Sequence, residues 1–190
     1  MSFTLSTFKN ALGQGSRPNN FKITFGNPLG LNLPRFTSTI ADSGSYSLLC
    51  KSAAIPAFTI GVVEIPVQGG RRMKLPGDRT YGDWTATFIA DQDQVLRKYF
   101  EDWIAGISTN NFENRSKSTI ADYKQNIQVQ QLDVSGNNIA NGFYVLKDSF
   151  PTDVSAIDLS YDTTDTISEF SVTFQYSYIT YTLATSIATL

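Results

Sequence analysis

Pro76-Gly77-Asp78-Arg79-Thr80-Tyr81-Gly82-Asp83-Trp84 is the stretch on which the reading of this chain turns. It separates two kinds of sequence. Upstream, residues 60–67 are rich in β-branched side chains but hold Pro66, which a central strand does not accommodate, so they read as an edge or irregular strand. Gly69-Gly70 makes a turn, and residues 71–75 return as a short basic strand with Arg71, Arg72 and Lys74. Residues 60–75 therefore read as a projecting hairpin. Downstream, residues 84–90 set Trp84, Ala86 and Phe88 against Thr85, Thr87 and Ile89, the alternation of a core strand. The quoted stretch is then a hinge between an arm and a body.

Working outward, the body is mostly strand. Asp91, with Gln94 three residues on, reads as a capping box. It opens a helix in which Leu96, Phe100, Trp103 and Ile107 recur at helical spacing and which ends at the polar run 108–111. Residues 20–25 and 46–50 read as strands, with a long loop at 26–45 between them, and 112–123 reads as a loop. Residues 126–134 form a strand whose apolar phase slips between Val129 and Leu132, the mark of a bulge, and 142–150 is its partner. Residues 156–161 and 168–180 form the last pair, with Phe170, Val172, Phe174, Tyr176 and Tyr178 on one face. The expected fold is mainly β: a two-sheet β-sandwich or barrel with one flanking α-helix and a projecting β-hairpin arm, in a single domain over 1–190 with an extension at 179–190.

Composition narrows the function classes. Apolar residues make up 41%, enough for a core, while charged residues are only 17%, so Ser, Thr, Asn, Gln and Tyr carry the surface. Neutral polar groups are cheaper to desolvate than charges, which suits strands that meet other strands. A net charge of −2 gives no cationic excess for gripping nucleic acid, although the chain can still surround DNA. There is no histidine, which removes His-based acid–base catalysis and His–metal sites. Cys50 is the single cysteine and reads as a buried thiol. Residues 1–12 lack the pattern of a secretory signal. Residues 170–190 carry no charge but are interrupted throughout by Ser, Thr and Gln, too polar for a membrane span.

Several clusters invite chemistry and admit plainer explanations. Asp91 and Asp93 resemble the start of a calcium loop, but the glycine and the bidentate glutamate are missing, and acidic residues suit a helix start. Asp153, Asp158, Asp162 and Asp165 could supply paired carboxylates to a hydrolase, yet Asp is a common turn residue. The Gly69–Arg72 run lacks a Walker lysine or G-x-G-x-x-G, so it reads as a basic hairpin that docks on an acidic neighbour as readily as on phosphate. Trp84 and Trp103 read as core or seam aromatics. No cofactor and no catalytic residue is expected.

The order of these segments, and above all the G-D-R-T-aromatic-x-D-W pattern at 77–84, resembles the tail-tube proteins of contractile-tailed bacteriophages. Arg17-Pro18-Asn19 before the first strand and Pro151-Thr152-Asp153-Val154 near the end also match, so the resemblance runs from about Arg17 to Tyr178. The loop at 26–45 is longer than the family's first hairpin connection, and 179–190 runs past the expected last strand. The resemblance implies a structural subunit that closes hexameric rings by continuing a sheet around a lumen. The rings stack head to tail into a conduit for DNA ejection inside a contractile sheath. Implied partners are the chain itself, the sheath protein, the baseplate and tail-terminator proteins, and DNA in transit without specific binding. The implied location is the virion tail, assembled in the host cytoplasm, with no membrane insertion.

On that reading, Arg71, Arg72 and Lys74 dock the hairpin on the next ring. Asp78, Arg79 and Asp83 either lock the following segment by charge-assisted hydrogen bonds or form a turn with a local Asp78–Arg79 salt bridge. Thr85, Thr87, Ser171, Thr173 and Gln175 would line the lumen. Other readings stay open: a baseplate tube-initiator or a tube-terminator of the same fold, or the inner tube of a bacterial contractile injection system. More distant is a carbohydrate-binding β-sandwich that stacks sugar on Trp84 or Tyr176.

Overall fold

A computed structural model of the chain describes residues 4–13, 15–26, 45–108, 123–162 and 164–181. The expected loops at 26–45 and 112–123 fall almost wholly outside these residues, as does the terminal extension beyond Tyr181. The elements are helix α1 (Leu5–Leu12), β1 (Phe21–Phe25), short helix α2 (Ser45–Leu48), β2 (Cys50–Ala53), β3 (Phe58–Val67), β4 (Arg71–Tyr81) and β5 (Trp84–Ile89). They continue with helix α3 (Val95–Ile107), β6 (Gln125–Leu132), β7 (Asn138–Val154), β8 (Glu169–Gln175) and β9 (Tyr178–Tyr181). The fold is mainly β. The body strands run in the order β1-β6-β7-β8-β5-β2, with β9 also on β7, while β3 and β4 form a separate hairpin.

Alternation builds the core. Trp84, Ala86 and Phe88 of β5 are buried, and their antiparallel partners on β8 are Phe174, Val172 and Phe170, which are buried too. On the other layer Ile127 and Val129 of β6 face inward beside Leu146 of β7. Helix α3 closes the core. Leu96, Tyr99, Phe100 and Trp103 recur at three- and four-residue intervals and are all buried. The Phe100 ring touches Phe25, Phe88, Phe170 and Phe174, so one helical side chain joins β1, β5 and β8. Both tryptophans satisfy their indole N–H while buried: Trp84 donates to Ala54 O at 2.7 Å and Trp103 to Tyr123 O at 2.8 Å.

The helix start differs from the expected capping box. Gln94 adopts a left-handed conformation with φ 50° and makes no side-chain cap bond. Asp91 does the capping instead, accepting from Val95 N at 3.1 Å and Leu96 N at 3.4 Å. Asp91→Ala should therefore cost about 1 kcal/mol, read as a lower midpoint in urea unfolding.

Three strand assignments are corrected. Residues 45–48 are helical, and the strand begins only at Cys50. The α2 turn brings the Ser47 hydroxyl to the backbone of β1, where it accepts from Ile23 N at 3.0 Å. Residues 156–161 form no strand, because the edge of β8 they were expected to occupy is taken by residues 150–154 of β7. The last long strand is broken after Gln175: Ser177 N donates to Lys147 O, and β9 pairs with β7 in the other layer. The apolar phase slips accordingly, so Ile179 is 6% exposed and Tyr178 is 45% exposed. The switch follows from β7 itself. Its residues 138–149 pair β6 and its residues 150–154 pair β8, with the change made at Asp148 in a left-handed conformation of φ 57°. The bulge expected between Val129 and Leu132 is present as a register shift between Gln130 and Leu132.

Candidate assembly surfaces

The hairpin β3–β4 stands wholly outside the core. The arm is longer than expected, because β4 continues through Pro76 to Tyr81. Segment 76–84 is thus mostly arm, and the junction with the body narrows to Gly82-Asp83. Gly69 and Gly70 turn the tip with φ of 96° and 78°, angles open mainly to glycine. Midway, Gly77 approaches Gly61 so closely that a Cβ on Gly77 would sit 3.1 Å from the Gly61 carbonyl carbon. Cross-strand register sorts the outer half of the arm into two faces. Val63, Ile65 and Val67 lie opposite Leu75, Met73 and Arg71 on one face; Val62, Glu64 and Pro66 lie opposite Pro76, Lys74 and Arg72 on the other.

No residue of β3 is buried, and eight large apolar side chains of the arm are 39–62% exposed. A two-stranded hairpin exposed on both faces is marginal by itself in water. The root is fastened to the body: the Tyr81 ring lies against Tyr176, Tyr176 Oη donates to Ala57 O, and Gln175 Nε2 donates to Asp83.

The residues expected to make inter-ring contacts fall into two groups. Arg71, Arg72 and Lys74 sit toward the tip, with Arg72 at 2.8 Å and Lys74 at 3.8 Å from the Glu64 carboxylate. Asp78, Arg79 and Asp83 lie toward the root. Among the ion pairs of the described residues none joins Asp78 to Arg79; the Arg79 guanidinium instead stacks 4.9 Å from the centre of the Phe58 ring. Asp83 is spent on the body.

Thr85, Thr87, Ser171, Thr173 and Gln175 do share one face. It is the side of the β2-β5-β8 layer away from the core, where the Thr85 and Thr173 hydroxyls are 3.2 Å apart. Among the described residues β2 pairs only with β5, and residues 150–154 pair only with β8, so this layer has two open edges. The third surface is the connection from β7 to β8, where Asp158, Asp162 and Asp165 are exposed; Asp153, the fourth carboxylate of the expected cluster, is exposed too but lies within β7 opposite Thr173. Beside the connection's carboxylates Leu159, Tyr161 and Ile167 are 71–104% exposed, because 156–161 is not the paired strand its composition suggests.

Other candidates dissolve. Trp84 is buried with its N–H engaged, and Tyr176 is held by Tyr81 and Ala57, so neither offers an open ring face to a sugar. Burial pushes the Cys50 thiol up to about 12, which leaves it protonated and unreactive at neutral pH. Burial likewise raises the Tyr99 phenol well above its ordinary value. Among the described residues no His/Cys/Asp/Glu group could hold a metal ion, and no helix is long and apolar enough to cross a membrane.

The family described as phage tail tube protein matches residues 16–182 of this chain. The chain belongs to that family. It is a structural subunit of the tail tube of contractile-tailed bacteriophages, a component of the virion tail. It is similar to tail tube protein gp19 of Enterobacteria phage T4, 30% identical over 168 residues that cover 87% of this chain and 91% of the relative. In fold it is similar to a chain of the sheath–tube complex of an extracellular contractile injection system in its extended state, with TM-score 0.63 and 15% identity over 96% of this chain and 100% of the other. It is also similar to a chain of the tube-terminating cap of the anti-feeding prophage, with TM-score 0.62 and 16% identity over 89% of this chain and 91% of the other. The match to the tail tube family begins at residue 16, so α1, whose Leu5, Phe8 and Leu12 are exposed, lies outside it.

Proposed function

We propose that this tail tube subunit closes hexameric rings that stack head to tail into a conduit for DNA, inside a contractile sheath and on a baseplate. It works by assembly, without catalysis, and is assembled in the host cytoplasm. The observation that carries the stacking is the unpartnered arm. Covering eight half-exposed apolar side chains would contribute about 8 kcal/mol gross per arm, at about 1 kcal/mol each, before ordering costs. A ring supplies the other contact. The open edges of β2 and of residues 150–154 let the layer continue from one subunit to the next, which removes exposed strand edges. The face carrying Thr85, Thr87, Ser171, Thr173 and Gln175 then turns toward the lumen. Its hydroxyls and amides are polar and uncharged, and the charges beside them are a Lys51–Glu169 pair that neutralises itself and the lone Asp153, so DNA meets no unpaired cation there to bind and no dense negative charge to repel it.

The test is assembly by the Arg71→Glu/Arg72→Glu variant. Tube yield by negative-stain microscopy should fall at least tenfold while the melting temperature stays within a few degrees of the parent. Tubes at parental yield would overturn the docking role of the arm. A terminator layer of the same fold is the second reading, favoured by the cap likeness, which nearly equals that to the tube complex. Copy number in purified particles separates them: many rings for the main tube, one for a terminator.

A further inference from the structure

The stacking arm needs a receiving surface, and the chain carries one of matching chemistry at its opposite end. We propose that the arm of one subunit seats on the connection 155–168 of a second copy in the adjacent ring. The inference rests on the stacking reading above and adds the identity of the partner surface.

Three observations support it. The first is charge. The arm, residues 58–81, has four Lys or Arg and two Asp or Glu, a net +2. Residues 155–168 have three Asp and no Lys or Arg, a net −3. The near-neutral total of −2 therefore conceals two patches of opposite sign. Among the described residues, Asp158, Asp162 and Asp165 are in no ion pair, whereas the flanking Glu169 is taken by Lys51 at 2.6 Å.

The second is apolar surface. Leu159, Tyr161 and Ile167 stand out among these carboxylates, just as Val63, Ile65, Met73 and Leu75 stand out on the arm. Charge alone at an exposed contact is screened and weak; buried apolar area with a complementary charged rim is what makes a specific interface.

The third is position. The arm leaves the body next to Trp84, which pairs with Phe174. The connection ends just before Glu169, which pairs with Ile89 at the other end of the same two strands. Root and receptor are thus separated by the length of β5, about 20 Å at about 3.3 Å per residue. A surface at each end of the subunit, unlike but complementary, gives a heterologous contact that repeats along an axis and does not close on itself.

The experiment compares three variants of the full chain with the parent: Arg71→Glu/Arg72→Glu, Asp158→Lys/Asp162→Lys/Asp165→Lys, and the two combined. Each of the first two should shorten tubes at least tenfold, and the combination should recover most of the parental length. If the loop variant builds tubes of parental length while the arm variant does not, the arm docks elsewhere: this inference falls and the stacking reading stands. If the arm variant also builds parental tubes, the stacking reading itself falls. Misfolding of the loop variant is bypassed by Arg71→Cys with Asp162→Cys in an otherwise unchanged chain, since buried Cys50 does not compete. Oxidised tubes should give a ladder of cross-linked subunits on non-reducing gels that either single-cysteine variant lacks; tubes without the ladder overturn the proposal.

Discussion

Replacing residues 60–79 with a two-residue Asn-Gly turn should yield a folded subunit that builds no tube. The body has little to lose. The core cluster comprises β1, β2, β5, α3, β6, β7 and β8 residues and contains none from the arm. Thr59 and Thr80, whose hydroxyls are 2.7 Å apart, would still close the root, and Tyr81 would keep its contact with Tyr176. The melting temperature should move by less than about 4 °C, equivalent to about 1 kcal/mol for a domain of this size. Tube formation should vanish, because the apolar surface that drives stacking has gone. Circular dichroism and negative-stain microscopy on one preparation suffice. Tubes of ordinary length from this variant would show that the arm is dispensable.

The opposite dissociation is expected of Phe100→Ala. This side chain is fully buried and contacts aromatic rings from β1, β5 and β8. Truncation leaves a cavity between the helix and both layers, at a cost of about 3–5 kcal/mol. That is a large share of a total stability of about 5–15 kcal/mol, so the variant should unfold at much lower urea and lose assembly as a consequence. Lys98→Ala is the control on the outer face of the same helix. Lys98 pairs with Asp102 and Glu101 across exposed surface, and its removal should cost about 0.5 kcal/mol or less. Equal losses from both variants would contradict the assignment of Phe100 as the junction of the core.

The two experiments divide the chain as its sequence does. The strand over 84–89, the helix over 95–107 and the buried face of 170–174 were legible because each is a local pattern that one buried surface enforces. The arm was legible as an arm from Pro66 and the paired glycines. Its full length was not, because Pro76 and Gly77 look like a break, and only the pairing of Pro76 with Val62, the close approach of Gly77 to Gly61 and the pairing of Arg79 with Ile60 show that the strand continues past them. The strand expected at 156–161 has suitable local composition, but its place on β8 is filled by residues 150–154, and no window of sequence reports that competition. The acidic residues cluster already in sequence; that Asp158, Asp162 and Asp165 stand with exposed Leu159, Tyr161 and Ile167 at the far end of β8 from the arm root, while Asp153 does not, follows from strand direction.

Sequence by itself determined the class of this protein: a mainly β body, one amphipathic helix, no histidine chemistry and the G-D-R-T-aromatic-x-D-W segment of a tail tube subunit. Those properties are set by composition, periodicity and the order of neighbours along the chain. Tertiary structure alone decided that β7 serves both layers by turning at Asp148, and that segment 76–84 is arm for most of its length. It also placed the root of the basic apolar arm and the acidic apolar connection at opposite ends of the β5–β8 pair. The physical reason is that strand pairing is non-local: which edge a strand occupies depends on what other segments have already satisfied its backbone donors and acceptors.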